Sequence, residues 1–173
     1  LYKESDPHTS EKKLKQAVKF LKQATKQKTT SINEKIKVVA TLGWLRIKSL
    51  KFGKAESCYK EAVDLYEQSQ NPENKETQED ENGEENKDVS DDSENIPYDQ
   101  LLTFYGISQF QNGKPSDALE TFQKAEKIYL ETNPTEEKAP PVLRYNMALC
   151  KEEMNKFSEA RAEYKKLHED YPN

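Results

Sequence analysis

Residues 141–172, PVLRYNMALCKEEMNKFSEARAEYKKLHEDYP, decide the fold. Apolar and small residues recur there at helical spacing, in two runs separated by Asn155 and Lys156. Ala160, Tyr164 and Leu167 stand at i, i+4 and i+7, one stripe of a helix. Ala148, twelve residues before Ala160, gives the first run a small residue where a second helix can cross closely. The segment therefore reads as a hairpin of two antiparallel helices.

The same pattern occurs twice more upstream. In 99–130, DQLLTFYGISQFQNGKPSDALETFQKAEKIYL, the matching residues are Gly106, Ala118, Phe122 and Ala125. In 36–67, IKVVATLGWLRIKSLKFGKAESCYKEAVDLYE, they are Gly43, Ala55, Tyr59 and Ala62. A half repeat comes first: in 11–28, EKKLKQAVKFLKQATKQK, Ala17, Leu21 and Ala24 lie on one stripe. It reads as a second helix without its partner, with the lysines on its solvated face. Helices are expected at about 10–28, 33–50, 53–70, 97–112, 115–131, 138–154 and 156–170, with no strand.

Repeat spacing locates an insertion. Ala17 to Ala55 is 38 residues, Ala118 to Ala160 is 42, and Ala55 to Ala118 is 63. Removing the 25 residues 71–95 from the long interval restores 38. That stretch, NPENKETQEDENGEENKDVSDDSEN, has Val89 as its one aliphatic residue and no aromatic. It buries too little apolar area to offset its ordering entropy and is expected to be disordered. The chain thus divides into a half repeat plus first full repeat over 10–70, an acidic insertion over 71–95, and two further repeats over 96–173.

Composition agrees with a thin stack of helices. Hydrophobic residues are 33% of the 173 and charged residues 34%. A solenoid needs less apolar content than a globule, because each layer covers only its neighbours. The net charge is −5, yet 71–95 holds 11 acids and 2 lysines, leaving 25 basic against 21 acidic residues elsewhere. A small positive balance spread over several helices does not point to nucleic acid. No apolar run approaches the roughly 18 residues of a membrane span. With leucine at its start, the chain is expected to be a piece of a longer protein.

Candidate chemistry is sparse. Cys58 and Cys150, 92 residues apart, have neither metal-knuckle nor redox-pair spacing. They read as reduced, partly or wholly buried thiols, which suits a cytosolic or nuclear compartment. His8 and His168 lie at opposite ends with no Cys or His at ligand spacing. The five glycines form no phosphate loop. No catalytic residue, metal site or cofactor is expected.

The recurring small and aromatic residues at fixed spacing resemble the tetratricopeptide repeat family. The resemblance implies an all-α, right-handed superhelical stack of helical hairpins and a protein-binding scaffold rather than an enzyme, with no direct nucleic-acid or membrane partner. In such stacks the first helix of each hairpin lines the concave face. Helical phase then nominates Ala40, Trp44, Ile47 and Lys48 in the first full repeat, Thr103, Ile107, Phe110 and Gln111 in the second, and Tyr145, Leu149, Glu152 and Glu153 in the third. Trp44 is either an interface anchor or packed against the preceding hairpin.

Within that superfamily, Tyr145-Asn146-Met147-Ala148 opening a helix, Tyr171-Pro172 closing the hairpin, and the Ile96-Pro97 lead-in are similar to the tetratricopeptide scaffold subunits of RNA polymerase II-associated Paf complexes. Phe104, Gly106 and Lys151 depart from that pattern. This likeness implies a nuclear scaffold of transcription elongation and co-transcriptional histone modification, holding other subunits of the complex. The alternative is a peptide-receptor module such as a co-chaperone or import receptor. The basic clamp of such receptors needs Lys and Asn where Ala40 and Trp44 stand. A third reading is a regulatory repeat segment of an enzyme.

Overall fold

The computed structural model describes residues 31–71 and 95–172, together with Gln16, Lys19, Phe20 and Gln23, which are helical. The expected half-repeat stripe of Ala17, Leu21 and Ala24 lies outside the described residues, as does 72–94 of the acidic insertion. The first repeat begins at α1 (Ile32–Lys48), paired with α2 (Phe52–Gln70). The second is α3 (Tyr98–Gln111) with α4 (Pro115–Thr132), and the third α5 (Pro141–Glu153) with α6 (Phe157–Asp170). Among the described residues there is no strand. Each helix packs on its neighbours in sequence, and the first helices α3 and α5 also touch. This is an all-helical stack of hairpins.

Local chemistry sets the helix ends. Ser31 caps α1 with its hydroxyl on the Glu34 N–H, 3.2 Å away, while the Ser31 N–H donates to the Glu34 carboxylate at 3.0 Å. This reciprocal capping box satisfies two otherwise unpaired donors. Pro115 and Pro141 stand in the first turns of α4 and α5, where a missing N–H costs nothing.

All three hairpins turn in the same way. Leu50, Gly113 and Asn155 have φ of 55°, 78° and 60°. The residue after each donates back into the first helix: Lys51 to Arg46, Lys114 to Gln109, Lys156 to Lys151. This six-residue closure satisfies helix-end carbonyls and asks for a left-handed residue, normally Gly or Asn. The first hairpin meets the requirement with a leucine.

The repeated small residues and rings meet as their spacing implies. A Cβ on Gly43 would lie 2.8 Å from the Tyr59 ring, and one on Gly106 would lie 2.6 Å from the Phe122 ring. Tyr59, Phe122, Ala55, Ala62, Ala118, Ala125 and Ala148 are buried, as are Cys58 and Cys150. Cys58, Tyr59, Ala62, Ala118, Phe122, Ala125 and Cys150 belong to one continuous core that runs from Ile36 to Cys150. In the last hairpin the ring at this register, Tyr164, is only half-buried.

Candidate protein-docking face

The first helices α1, α3 and α5 carry the twelve residues nominated by helical phase, of which Glu152 and Glu153 are exposed. Trp44 is 47% exposed and Tyr145 49% exposed. Lys48 is exposed, with its ammonium 5.4 Å from the centre of the Trp44 ring. Gln111 is exposed too. Ile47, Thr103, Ile107, Phe110 and Leu149 are half-buried. Ile47, Ile107 and Phe110 spend their inner surface on the core, and the Thr103 hydroxyl donates to the Asp99 carbonyl at 2.8 Å. Ala40, nominated on the same phase, is buried in the core at 6% exposure. It sits one turn from the Gly43 crossing, so it faces inward.

Val142, which sequence reasoning did not select, is 57% exposed. It lies one turn before Tyr145, so α5 presents two adjacent apolar side chains. An i, i+3 search from Tyr145 finds it. The Tyr145 ring is steadied by Tyr164, centroid to centroid 5.7 Å, and the Tyr164 hydroxyl donates to Glu152 at 2.8 Å.

Polar links lock the hairpins together and so fix the relative positions of the first helices. Lys114, at the start of α4, reaches Glu56 of α2 at 2.7 Å. Lys124 on α4 pairs with Glu67 of α2 at 2.8 Å and donates to the Tyr98 hydroxyl at 2.9 Å. Tyr98 donates in turn to Glu67. These donors, Lys124 first, hold the Glu67 carboxyl below its ordinary value. Lys124 is thus a joint between hairpins.

At the far end, Arg144 is buried and meets Asp170 at 2.6 Å, with Lys138 on the other carboxylate oxygen at 2.6 Å. Lys138, then Arg144, push the Asp170 carboxyl down. Burial raises the Cys150 thiol to about 12. A neutral buried thiol is a poor nucleophile and metal ligand. The Cys58 sulfur accepts from the Arg46 guanidinium at 2.8 Å. Among the described residues no group of three His, Cys, Asp or Glu side chains is placed to hold a metal ion. No helix among them is long and apolar enough to cross a membrane.

The arrangement defines a class: stacked antiparallel helical hairpins with small residues at the crossings and rings filling them. Comparison with known proteins supports the class. Residues 143–173 match the tetratricopeptide repeat family. The fold is similar to the nearly identical TPR-like repeats of a kinesin light chain from Podosopora anserina. The TM-score is 0.64 at 11% identity, covering 93% of this chain and 68% of that one. At that identity the likeness speaks to fold alone. No curated protein matches this sequence as a relative. The chain is therefore a helical stack with the fold of TPR-like repeats, and its family match covers residues 143–173.

Proposed function

We propose that this chain is a protein-interaction scaffold that docks partner proteins on the face formed by its first helices. The observation that carries this reading is the pair of half-exposed aromatic anchors, Trp44 and Tyr145, on first helices of different hairpins. Large aromatic residues supply contact area at low entropy cost and dominate interface energetics. The intervening hairpin offers Ile107, Phe110 and Gln111 between them. Neither a cofactor nor a catalytic group enters this function.

The partners in this reading are other subunits of the RNA polymerase II-associated Paf complex and the elongation machinery, and the compartment is the nucleus. The support is the sequence likeness at Tyr145-Asn146-Met147-Ala148, Tyr171-Pro172 and Ile96-Pro97. The rival peptide-receptor reading finds less support at the first-helix positions. Where a carboxylate-gripping clamp needs Lys and Asn, the chain has the buried Ala40 and the apolar ring of Trp44.

Affinity capture from nuclear and cytosolic extracts, read by mass spectrometry, tests both levels. Paf subunits and polymerase from the nuclear extract are expected. Recovery of chaperones or transport cargo instead would favour the peptide receptor. Trp44→Ala and Tyr145→Ala are each expected to weaken capture by about 2 kcal/mol or more, the scale of an interface anchor. Full capture by both variants would remove the first-helix face from consideration.

A further inference from the structure

The ends of α2 and α4 meet the start of α3 around a cleft of about 480 Å³. That size lies within the roughly 300–1,000 Å³ of pockets that take small ligands or side chains. Tyr66, Pro97, Tyr98, Asp99, Tyr129 and Asn133 form its working walls. Tyr66 and Tyr98 stack in parallel, their centroids 4.4 Å apart. The links from Tyr98 to Glu67 and Lys124 hold this double ring in place. On the opposite helix the Asn133 amide donates to the Tyr129 carbonyl at 2.8 Å, which fixes the end of α4.

Asp99 is the unusual member. It is half-buried in the first turn of α3. Its backbone carbonyl accepts from Thr103, but its carboxylate has no hydrogen bond or ion pair to a described residue. Every other wall residue is aromatic, aliphatic or neutral. Covering this cleft with an apolar group would strand a carboxylate out of water, which is costly. An anion would meet repulsion. A cation with a flat apolar body satisfies both kinds of wall.

We propose that the cleft receives an arginine side chain presented by a segment of a partner protein. A planar guanidinium stacks against aromatic rings and donates in a fork to a carboxylate, whereas an ammonium is a compact, strongly hydrated point charge. Tyrosine rings attract such cations through their faces. The chain leaving α2 at Asn71 and returning at Asn95 carries 11 acids against 2 lysines over 71–95. The site lies apart from the Trp44–Tyr145 face and stands or falls separately from it.

The test is a titration of the isotopically labelled chain followed by nuclear magnetic resonance. The probe is acetyl-Pro-Arg-Pro-amide, compared with its citrulline counterpart, which keeps the shape and loses the charge. Saturable shifts are expected at Tyr66, Tyr98, Asp99 and Tyr129, with affinity falling as salt rises. The citrulline peptide and the Asp99→Asn variant are each expected to bind about tenfold more weakly or worse. Thr132→Phe, which crowds the rim without altering Asp99, should also abolish the shifts, and melting curves would show that both variants remain folded. Equal binding of the citrulline peptide, an unaffected Asp99→Asn variant, or no saturable response at millimolar probe would each overturn the proposal. Shifts confined to Trp44 and Tyr145 would overturn it too, while leaving the first-helix docking face intact.

Discussion

Substituting Gly106 by alanine sets two effects of known sign against each other. In a helix interior alanine is favoured over glycine by about 1 kcal/mol. Yet the new Cβ would lie 2.6, 2.8 and 2.9 Å from Cε1, Cδ1 and Cζ of Phe122. Carbon atoms pack at about 3.5–4.0 Å, so the ring would have to retreat by about 1 Å. Phe122 has 0% exposure, and no solvent lies behind it to receive the displacement. Overpacking of this kind costs about 1–3 kcal/mol. The contact is severe, so the upper half of that range applies, and a net loss of about 1–2 kcal/mol is expected. For a chain of this length that lowers Tm by about 2–8 °C. Thermal melting by circular dichroism measures it, with Gly53→Ala as the control. There a Cβ would sit 3.5 Å from the nearest Asn112 atom, an ordinary contact, so an unchanged or raised Tm is expected. Placed in a Phe122→Leu background, Gly106→Ala should cost distinctly less, because the obstructing ring is gone. A Gly106→Ala protein that melts at or above the parent would refute the close-crossing argument, and with it the physical basis of the repeat register.

Three further outcomes follow from single features. Leu50 holds a left-handed conformation that costs an ordinary residue about 1–2 kcal/mol, so Leu50→Gly should stabilise by about 0.5–1 kcal/mol after glycine's extra unfolded-state entropy; an unchanged or lower denaturant midpoint would contradict this. The Asp170 carboxyl is depressed by Lys138 and Arg144, so its contribution is present above the unfolded value of about 4 and lost as pH falls through the folded value. Melting between pH 2 and pH 5 should therefore fall less steeply for Asp170→Asn than for the parent, and parallel curves would deny the linkage. Cys150, buried with its thiol raised to about 12, should resist a thiol-specific reagent at pH 8 in the native state and react on unfolding, as peptide mapping of the labelled protein would record; fast native labelling would mean the third hairpin opens readily.

Local spacing alone determined the hairpins. A small residue at Gly43 or Gly106 and a ring sixteen positions later, Tyr59 or Phe122, specify which faces of two consecutive helices meet. That is a short-range problem set by helical period. The same logic identified the buried Ala55, Ala118 and Ala160, while it left Trp44 open between packing and projection. It missed Ala40, because a residue one turn from a crossing faces core or groove according to a few degrees of helix rotation. Tertiary structure decided what joins one hairpin to the next. Glu67, Tyr98 and Lys124 belong to three helices and to no repeated position, and Tyr66 meets Tyr98 across the acidic insertion. Such pairs depend on the superhelical rotation between hairpins, a sum over every upstream crossing that no single window contains. The left-handed Leu50 is likewise decided by packing, here within a single hairpin. Its side chain argues against that conformation, and only closure of α1 onto α2, through the Lys51 to Arg46 hydrogen bond, imposes it.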